Sequence, residues 1–445
     1  MSAGPIGPAP RWGTAAVAAL AVVPLALLCT DQLALVDFIS FAGRARRLRE
    51  GLDLVHPLYP VGYPAALSAL TALVGDVLHA GKVLAVLAGA GAVAATARML
   101  GPLPALWLLA QGALLQWGST EGTDMPAAAL ALASLAAAAE RRPGWAGALA
   151  GAACLCRYTG IAVVPVALLL AGRPHIFLGA LLASTAPHWA VALLTGAPLL
   201  PDQTENLTIA AGHATTLLSA DTLQRWPRAF AHAGAVALRQ PATWVGLVGL
   251  AVGAARRDRR ALGLLVFALV HVALVGLAFA KPRLVLPATL ALAAGAAFLV
   301  PRSRPRLAWL LPAVGLPVAI GAGLALSPIT SVDERRAEQG AALAPHAGPF
   351  FTSDPWVAAR VGGWLHGGRP LNAAGQARAL TPGSVAAAAR DQGVPHIMVD
   401  RSRLKRTYPG LLPLMDADTA EGLTLVDRGT GWRLWAVDGV SPPAP

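Results

Sequence analysis

Charge is scarce in this 445-residue chain: 13% of its residues are Asp, Glu, Lys or Arg, where soluble domains carry about 25%. That shortage excludes a cytosolic enzyme, a disordered chain and a coiled coil. Cysteine is scarcer still. Cys29, Cys154 and Cys156 all sit in apolar stretches and none falls in the last 289 residues, which rules out a disulfide framework for the C-terminal region. The first apolar run, 13–28 after Arg11, lacks a small-x-small cleavage site, and Leu28 before Cys29 spoils a lipobox. It reads as an uncleaved first span. What is abundant is apolar: 56% of residues are hydrophobic and the mean hydropathy is +0.57. The first expectation is a polytopic α-helical membrane protein.

The net charge of +12 invites a nucleic-acid reading, which the distribution of charge undermines. Residues 1–326 hold 23 Lys and Arg against 12 Asp and Glu, whereas 327–445 hold 12 against 11. Basic residues between apolar runs report membrane orientation rather than a nucleic-acid partner.

A membrane helix needs roughly 20 apolar residues. Candidate spans are 13–29, 80–98, 103–119, 124–140, 174–195, 241–255, 261–280, 284–300 and 307–326. Two stretches do not fit simply. Segment 57–75 has only ten mostly apolar residues between Pro64 and Gly75-Asp76, which suits a re-entrant or interfacial piece. Segment 144–172 is too long for one span and has Arg157 near its middle, so it reads as two short helices meeting near Arg157-Tyr158-Thr159-Gly160. Loops rich in Lys and Arg stay in the cytoplasm. If 57–75 does not cross and 144–172 crosses twice, then Arg11, Arg98, Arg141, Arg142, Arg173, the four arginines around Asp258, and Arg302, Arg304 and Arg306 share one side. The expectation is about 11 transmembrane helices in a bacterial inner (plasma) membrane, with the N-terminus cytoplasmic and the C-terminus periplasmic or extracellular. Segments 30–79, 118–124, 196–240 and 327–445 then lie outside. The tail alternates short strands (349–353, 396–400, 423–427, 432–437) with helical patterns at 355–366 and 383–392. It reads as a small extracytoplasmic α/β domain, 327–445, behind a membrane domain, 1–326.

Segment 37–52 places Phe38, Phe41, Ala45, Leu48 and Leu52 at helical spacing with Arg44, Arg46, Arg47 and Arg49 mostly opposite. That is the pattern of a helix lying in the interface, apolar side in lipid. Asp37 begins it, with Asp31 nearby. Asp124 lies in STEGTDMP at the outer end of two apolar helices, with Glu121 beside it. A lone acid in such a place is a cap or a solvated group. An arginine inside an apolar run costs about 2.5 kcal/mol or more unless it is paired or reaches water. Arg157 is therefore a functional candidate, its bland alternative being a buried pair with Asp124 or Glu121. Lys281-Pro282-Arg283 is a second cationic site, with snorkelling as its bland reading. Together these are two carboxylates and two cationic sites on one predicted side of the bilayer. Carboxylates serve as general bases for an acceptor hydroxyl or amine, and cations stabilise a phosphate leaving group. Asn206-Leu207-Thr208 is a weak glycosylation sequon.

These residues fall in a familiar order: Asp37, Phe41, Ala45, Leu48 and Gly51, then Pro60, Gly62, Tyr63 and Pro64, Thr123-Asp124 with Pro126, the Arg157-Tyr158-x-Gly160 junction, and Pro282-Arg283 before Leu286-Pro287. The chain resembles the GT-C superfamily of membrane glycosyltransferases, in the protein O-mannosyltransferase and aminoarabinose-transferase-like branch that uses polyprenyl-phosphate sugars. Phe41 stands where tyrosine is common, and the acidic pair that some branches have after the first span is absent. The resemblance implies inverting transfer from a polyprenyl-phosphate-linked sugar. Asp37 would be the catalytic base and Asp124 a second acid. Arg157, Arg283 and Lys281 would bind donor phosphate, and Glu121, Tyr63, Tyr158 and His56 would contact acceptor or donor. No cofactor is called for, and dependence on a divalent metal stays open, as do the sugar and the acceptor. No nucleotide-sugar site is needed, which fits the absence of a Gly-rich phosphate loop after a strand before residue 326. A lipid-linked glycan ligase or polymerase shares donor and side. A lipid or sugar flippase or transporter shares the broken helices, and a purely structural membrane scaffold is the remaining alternative.

Overall fold

The computed structural model describes residues 11–29, 38–49, 51, 60–195, 220–278, 282–300, 310, 313, 317, 334–346, 348–354, 357, 368–375 and 379–441. Two compact units emerge: Met1–Asp31 with Arg47–Pro328, and Gln32–Arg46 with Ile329–Pro445.

The first unit is helical. Its elements are α1 (Arg11–Leu27), α3 (Gly62–Val74), α4 (Val77–Leu100), α5 (Pro102–Leu106), α6 (Gly112–Gly118), α7 (Asp124–Ala139), α8 (Pro143–Cys156) and α9 (Val163–Ala171). They are followed by α10 (Pro174–Thr195), α11 (Ala220–Ala237), α12 (Pro241–Ala255), α13 (Arg259–Ala278) and α14 (Leu286–Ala294). Small residues let these helices touch backbone to backbone. A Cβ on Gly147 would stand 2.1 Å from Phe177 O, and one on Gly151 2.0 Å from Ser184 Oγ, so α8 closes on α10 through glycine. Gly246 and Gly249 do the same for α12, against Leu292 O at 1.9 Å and Gly295 O at 2.1 Å. The sequence pairs Gly147/Gly151 and Gly249/Gly253 thus sit at helix contacts, as small-xxx-small spacing suggests.

Among the described residues, only Val77–Leu100, Pro174–Thr195 and Arg259–Gly276 are long and apolar enough to cross a bilayer alone. A fourth span arises if the bent pair Trp226–Ala237 and Pro241–Ala255 counts as one. Helix length among the described residues picks out three or four crossings, which leaves the expected count of eleven unconfirmed. The physical reason is breakage. Segment 103–119, expected as one span, is split into α5, a 3-10 turn at Trp107–Ala110 and α6, with Gln111 extended at φ −89° and ψ 103°. Segment 144–172 breaks where expected: Arg157 is extended (φ −157°, ψ 132°) between α8 and a 3-10 turn, Tyr158–Ala162, that leads into α9. Segment 57–75 yields the 13-residue α3, about 20 Å long, short for a crossing. The loop expected at 196–240 contains α11, and the expected span 307–326 lies almost wholly outside the described residues.

The second unit holds most of α2 (Phe38–Arg49) with α15 (Glu334–Leu343), α16 (Pro382–Asp391), α17 (Arg401–Thr407) and a six-stranded sheet. The strands are β1 (Phe350–Thr352), β2 (Gly368–Pro370), β3 (His396–Asp400), β4 (Thr419–Ala420), β5 (Leu423–Gly429) and β6 (Trp432–Val437), in the order β2-β1-β3-β6-β5-β4. The β2-β1-β3 part is parallel and the rest antiparallel. All of β3 is buried because both faces are covered. Phe351, Ile397, Val399 and Trp435 pack with Val385, Ala386 and Ala389 of α16 on one side. Phe350, Met398 and Leu434 pack with Leu343 of α15 on the other.

α2 forms as its periodicity predicts, but its expected setting needs correcting. Phe38, Phe41, Ala42 and Ala45 are buried by protein, so the apolar face is not offered to lipid, and Arg44, expected on the polar face, is 1% exposed. Periodicity identifies a helix face without saying what covers it.

Candidate active site

The loop between α6 and α7 carries both acids of STEGTDMP and is buried almost throughout. Thr120 Oγ1 donates to Gln116 O at 2.6 Å and Ser119 Oγ to Leu115 O at 2.8 Å, satisfying carbonyls that the end of α6 leaves open. Gly122 then adopts φ 146°, a conformation a side chain would strain. Its N–H donates to the hydroxyl of Tyr63 at 3.0 Å. Tyr63 is fully buried on α3, so its phenol holds the acidic loop in place. Asp124 opens α7, where a carboxylate meets the positive end of the helix dipole. Pro126 sits two residues further on, inside the first turn, where its missing N–H costs nothing.

Each acid has a cation. Arg157 Nη1 stands 2.7 Å from Asp124 Oδ1 and donates to Thr123 Oγ1 at 2.7 Å. The extended backbone at the α8 break is what aims this side chain at the loop. The bland alternative for Arg157, a buried pair with Asp124, is therefore realised, yet the Arg157 side chain remains 24% exposed while that of Asp124 is 5% exposed. Glu121 is wholly buried, with Lys82 of α4 at 3.9 Å. Cys29 Sγ, just past α1, lies 3.4 Å from Ser119 O. Segments α1, α3, α4, α6, α7 and α8 thus converge on one loop.

Sequence reasoning missed Lys82. Its signal was available: a lysine six residues into an apolar helix falls under the rule that singled out Arg157. It also missed His271 of α13, which is 1% exposed and whose Nε2 meets Leu284 O at 2.9 Å. That contact seats the turn containing Arg283, a half-buried residue, against α13. Tyr158 is half-buried in the 3-10 turn after Arg157. Asp37, His56 and Lys281 lie outside the described residues, as do Asp31 and the sequon at 206–208. Among the described residues no three His, Cys, Asp or Glu side chains come together to hold a metal ion.

The far end of the same helices is basic. Arg98, at the end of α4, makes two bonds of 2.7 Å to Glu140, at the end of α7, and Arg142 Nε stands 3.3 Å from the same carboxylate. Arg260 Nη1 donates to Met99 O at 3.0 Å, and Arg256 Nη1 to Phe298 O at 3.2 Å. Helices α4 and α7 therefore run parallel, from the Lys82–Glu121 pair to the Arg98–Glu140 pair. Of the arginines assigned to one side from sequence, Arg98, Arg142, Arg256 and Arg260 gather at one end of the unit.

No family model matches this sequence, and no curated protein matches it either. Among solved structures the chain is similar to ArnT from Cupriavidus metallidurans bound to undecaprenyl phosphate. The TM-score is 0.63 at 16% identity, covering 98% of this chain and 100% of that one. The apo form of the same protein gives a TM-score of 0.62 at 16% identity, covering 97% and 99%. AglB, the archaeal oligosaccharyltransferase from Archaeoglobus fulgidus, in complex with an inhibitory peptide and a dolichol-phosphate, gives 0.46 at 13% identity, covering 97% and 75%. The full-length likeness to ArnT establishes the fold: this chain has the architecture of that solved structure.

Proposed function

We propose that this chain is a membrane glycosyltransferase that moves a sugar from a polyprenyl-phosphate donor to an acceptor on the outer face, with inversion. The observation that carries the reading is Arg157, held at a helix break by Asp124 and Thr123 yet still a quarter exposed. It sits in a chain sharing its fold with a protein solved with undecaprenyl phosphate bound. Asp37 takes the proton from the acceptor hydroxyl or amine. The freed lone pair forms a bond to the anomeric carbon as the bond from that carbon to the phosphate oxygen breaks, and the electron pair leaves with the polyprenyl phosphate. Nε and Nη2 of Arg157, with Arg283 and Lys281, offset the charge that develops there. Tyr158 lies beside Arg157 for a donor contact, and His56 is assigned to the acceptor side. Asp124 acts through Arg157 as a positioning residue. Glu121, committed to Lys82, and Tyr63, committed to Gly122, position the loop and do not touch substrate. Residues 1–326 form the membrane catalytic domain and 327–445 an outer domain. The basic end faces the cytoplasm of an inner (plasma) membrane.

The test is transfer of labelled sugar from polyprenyl phosphate into membrane extract by purified protein. Asp37→Asn and Arg157→Gln are each expected to lose at least about 100-fold in rate. Equal transfer by Asp37→Asn and wild type would remove the base assignment. Movement of intact lipid without sugar transfer would make the chain a flippase. For orientation, a periplasm-active reporter after Pro445 is expected to be active and one near Asp258 silent; the reverse refutes the outer site.

A further inference from the structure

Helix α11 is an amphipathic element that the proposed reaction does not use. Ala233, Val236 and Ala237 are buried, Trp226 Nε1 donates to Ala273 O of α13 at 3.3 Å, and Gly276 admits the backbone of Phe230. Its apolar side is thus covered by protein. The opposite side exposes Gln224, Arg228, Ala231, His232 and Ala235, and Arg239 follows just past the helix. These positions recur every three or four residues and form a single stripe. Among the described residues, Arg228, His232 and Arg239 form no ion pair.

Orientation follows from the bend. Trp226–Ala237 turns by 106° into the apolar helix Pro241–Ala255, so if the latter stands across the bilayer the former runs along its surface. Its depth follows from α13. Ala273, which meets Trp226, lies 13 residues or about 20 Å along that helix from Arg260 at the basic end. Gly276, which meets Phe230, lies 16 residues or about 24 Å along, so α11 sits at the end where the acidic loop sits, away from the basic end. Arg228 and Arg239, 11 residues apart, are separated by about 16 Å. One phosphate cannot bridge that distance, whereas a layer of phosphates can meet both.

We propose that the exposed stripe of α11 docks on the anionic phospholipid head groups of the bilayer, with Arg228 and Arg239 each taking a lipid phosphate and His232 donating between them. This surface is separate from the donor-phosphate site around Arg157, and the proposal stands whether or not the chain transfers sugar. The full chain, with Cys29, Cys154 and Cys156 replaced by alanine, is labelled with a fluorophore at Ala235→Cys. It is then placed in phosphatidylcholine nanodiscs with trace phosphatidylglycerol or phosphatidylcholine carrying a doxyl quencher at a shallow acyl position. The expected local enrichment of phosphatidylglycerol is at least about fivefold, the effect of one cationic side chain at an anionic surface, and it shrinks at high salt. R228Q/H232Q/R239Q should bring the ratio close to one, while R228K/R239K should keep it. Equal quenching by both lipids in the parent chain, an unchanged ratio in the triple variant, or no quenching by either lipid would overturn the proposal.

Discussion

The Arg157–Asp124 pair makes an asymmetric prediction. The charges approach to 2.7 Å, which at an effective dielectric of ~20 is a gross attraction of about 6 kcal/mol. Desolvation cancels most of that, so the net worth of the pair is small and the cost of breaking it depends on which partner stays behind. Arg157→Met removes the cation 2.7 Å from a carboxylate that is 5% exposed, at an expected cost of about 3–5 kcal/mol. Asp124→Leu leaves an arginine whose side chain is already 24% exposed, at about 1–3 kcal/mol. The double variant should cost less than Arg157→Met alone, because neither charge remains. The assay is unfolding in mixed micelles with rising dodecyl sulfate, read by tryptophan fluorescence, for wild type, both singles and the double. Strict additivity, or Asp124→Leu costing more than Arg157→Met, would refute the burial argument.

Tyr63→Phe removes the acceptor of the Gly122 N–H in a buried loop and should cost about 1–3 kcal/mol in the same titration; unchanged stability would mean the loop is held elsewhere. Gly246→Ala, whose Cβ would stand 1.9 Å from Leu292 O, should cost about 1–3 kcal/mol, whereas Gly179→Ala, with nothing within 4 Å, should be neutral or slightly stabilising; equal effects would remove the close-approach reading. In the second unit, burial and the neighbouring His346 hold His396 below the ordinary imidazole range. The unfolded chain therefore takes up the proton first, and stability is present above about pH 6.5 and lost as pH falls toward the lowered folded value. A thermal-unfolding series across pH should show that loss, and His396→Gln should flatten it.

How much was legible in the sequence depends on which physical signal each element leaves. The break at Arg157 was readable because 144–172 is too long for one helix and has a charge at its centre. The gathering of arginines at one end was readable from loop charge alone. The Arg157–Asp124 contact stood among the alternatives, since a buried arginine needs a partner. By contrast, the breaks around Gln111 fall inside a continuous apolar run, where composition gives no period to lose. The amphipathic α11 was hidden in a stretch read as loop because only Trp226, Phe230 and Val236, set among alanines, mark its apolar side. The strands β2 and β4, three and two residues long, are too short to show alternation. α2 shows the general limit, since its stripe was correct and the partner covering it is set by tertiary structure.

The parallel α4 and α7, clasped at both ends by ion pairs, also act as a ruler. From Lys82 to Arg98 is 16 residues and from Asp124 to Glu140 is 16, about 24 Å in each case, against a hydrocarbon thickness near 30 Å. Arg142, at the Glu140 end, is half exposed; were that end at one interface, the acidic loop would lie about 6 Å below the opposite one. Neither helix can slide to correct the mismatch, because sliding would break a clasp. With the basic end at one interface the loop would therefore be sunk about 6 Å among the acyl chains, and membrane thickness becomes a variable that sets how far a lipid-borne group must dip to reach it.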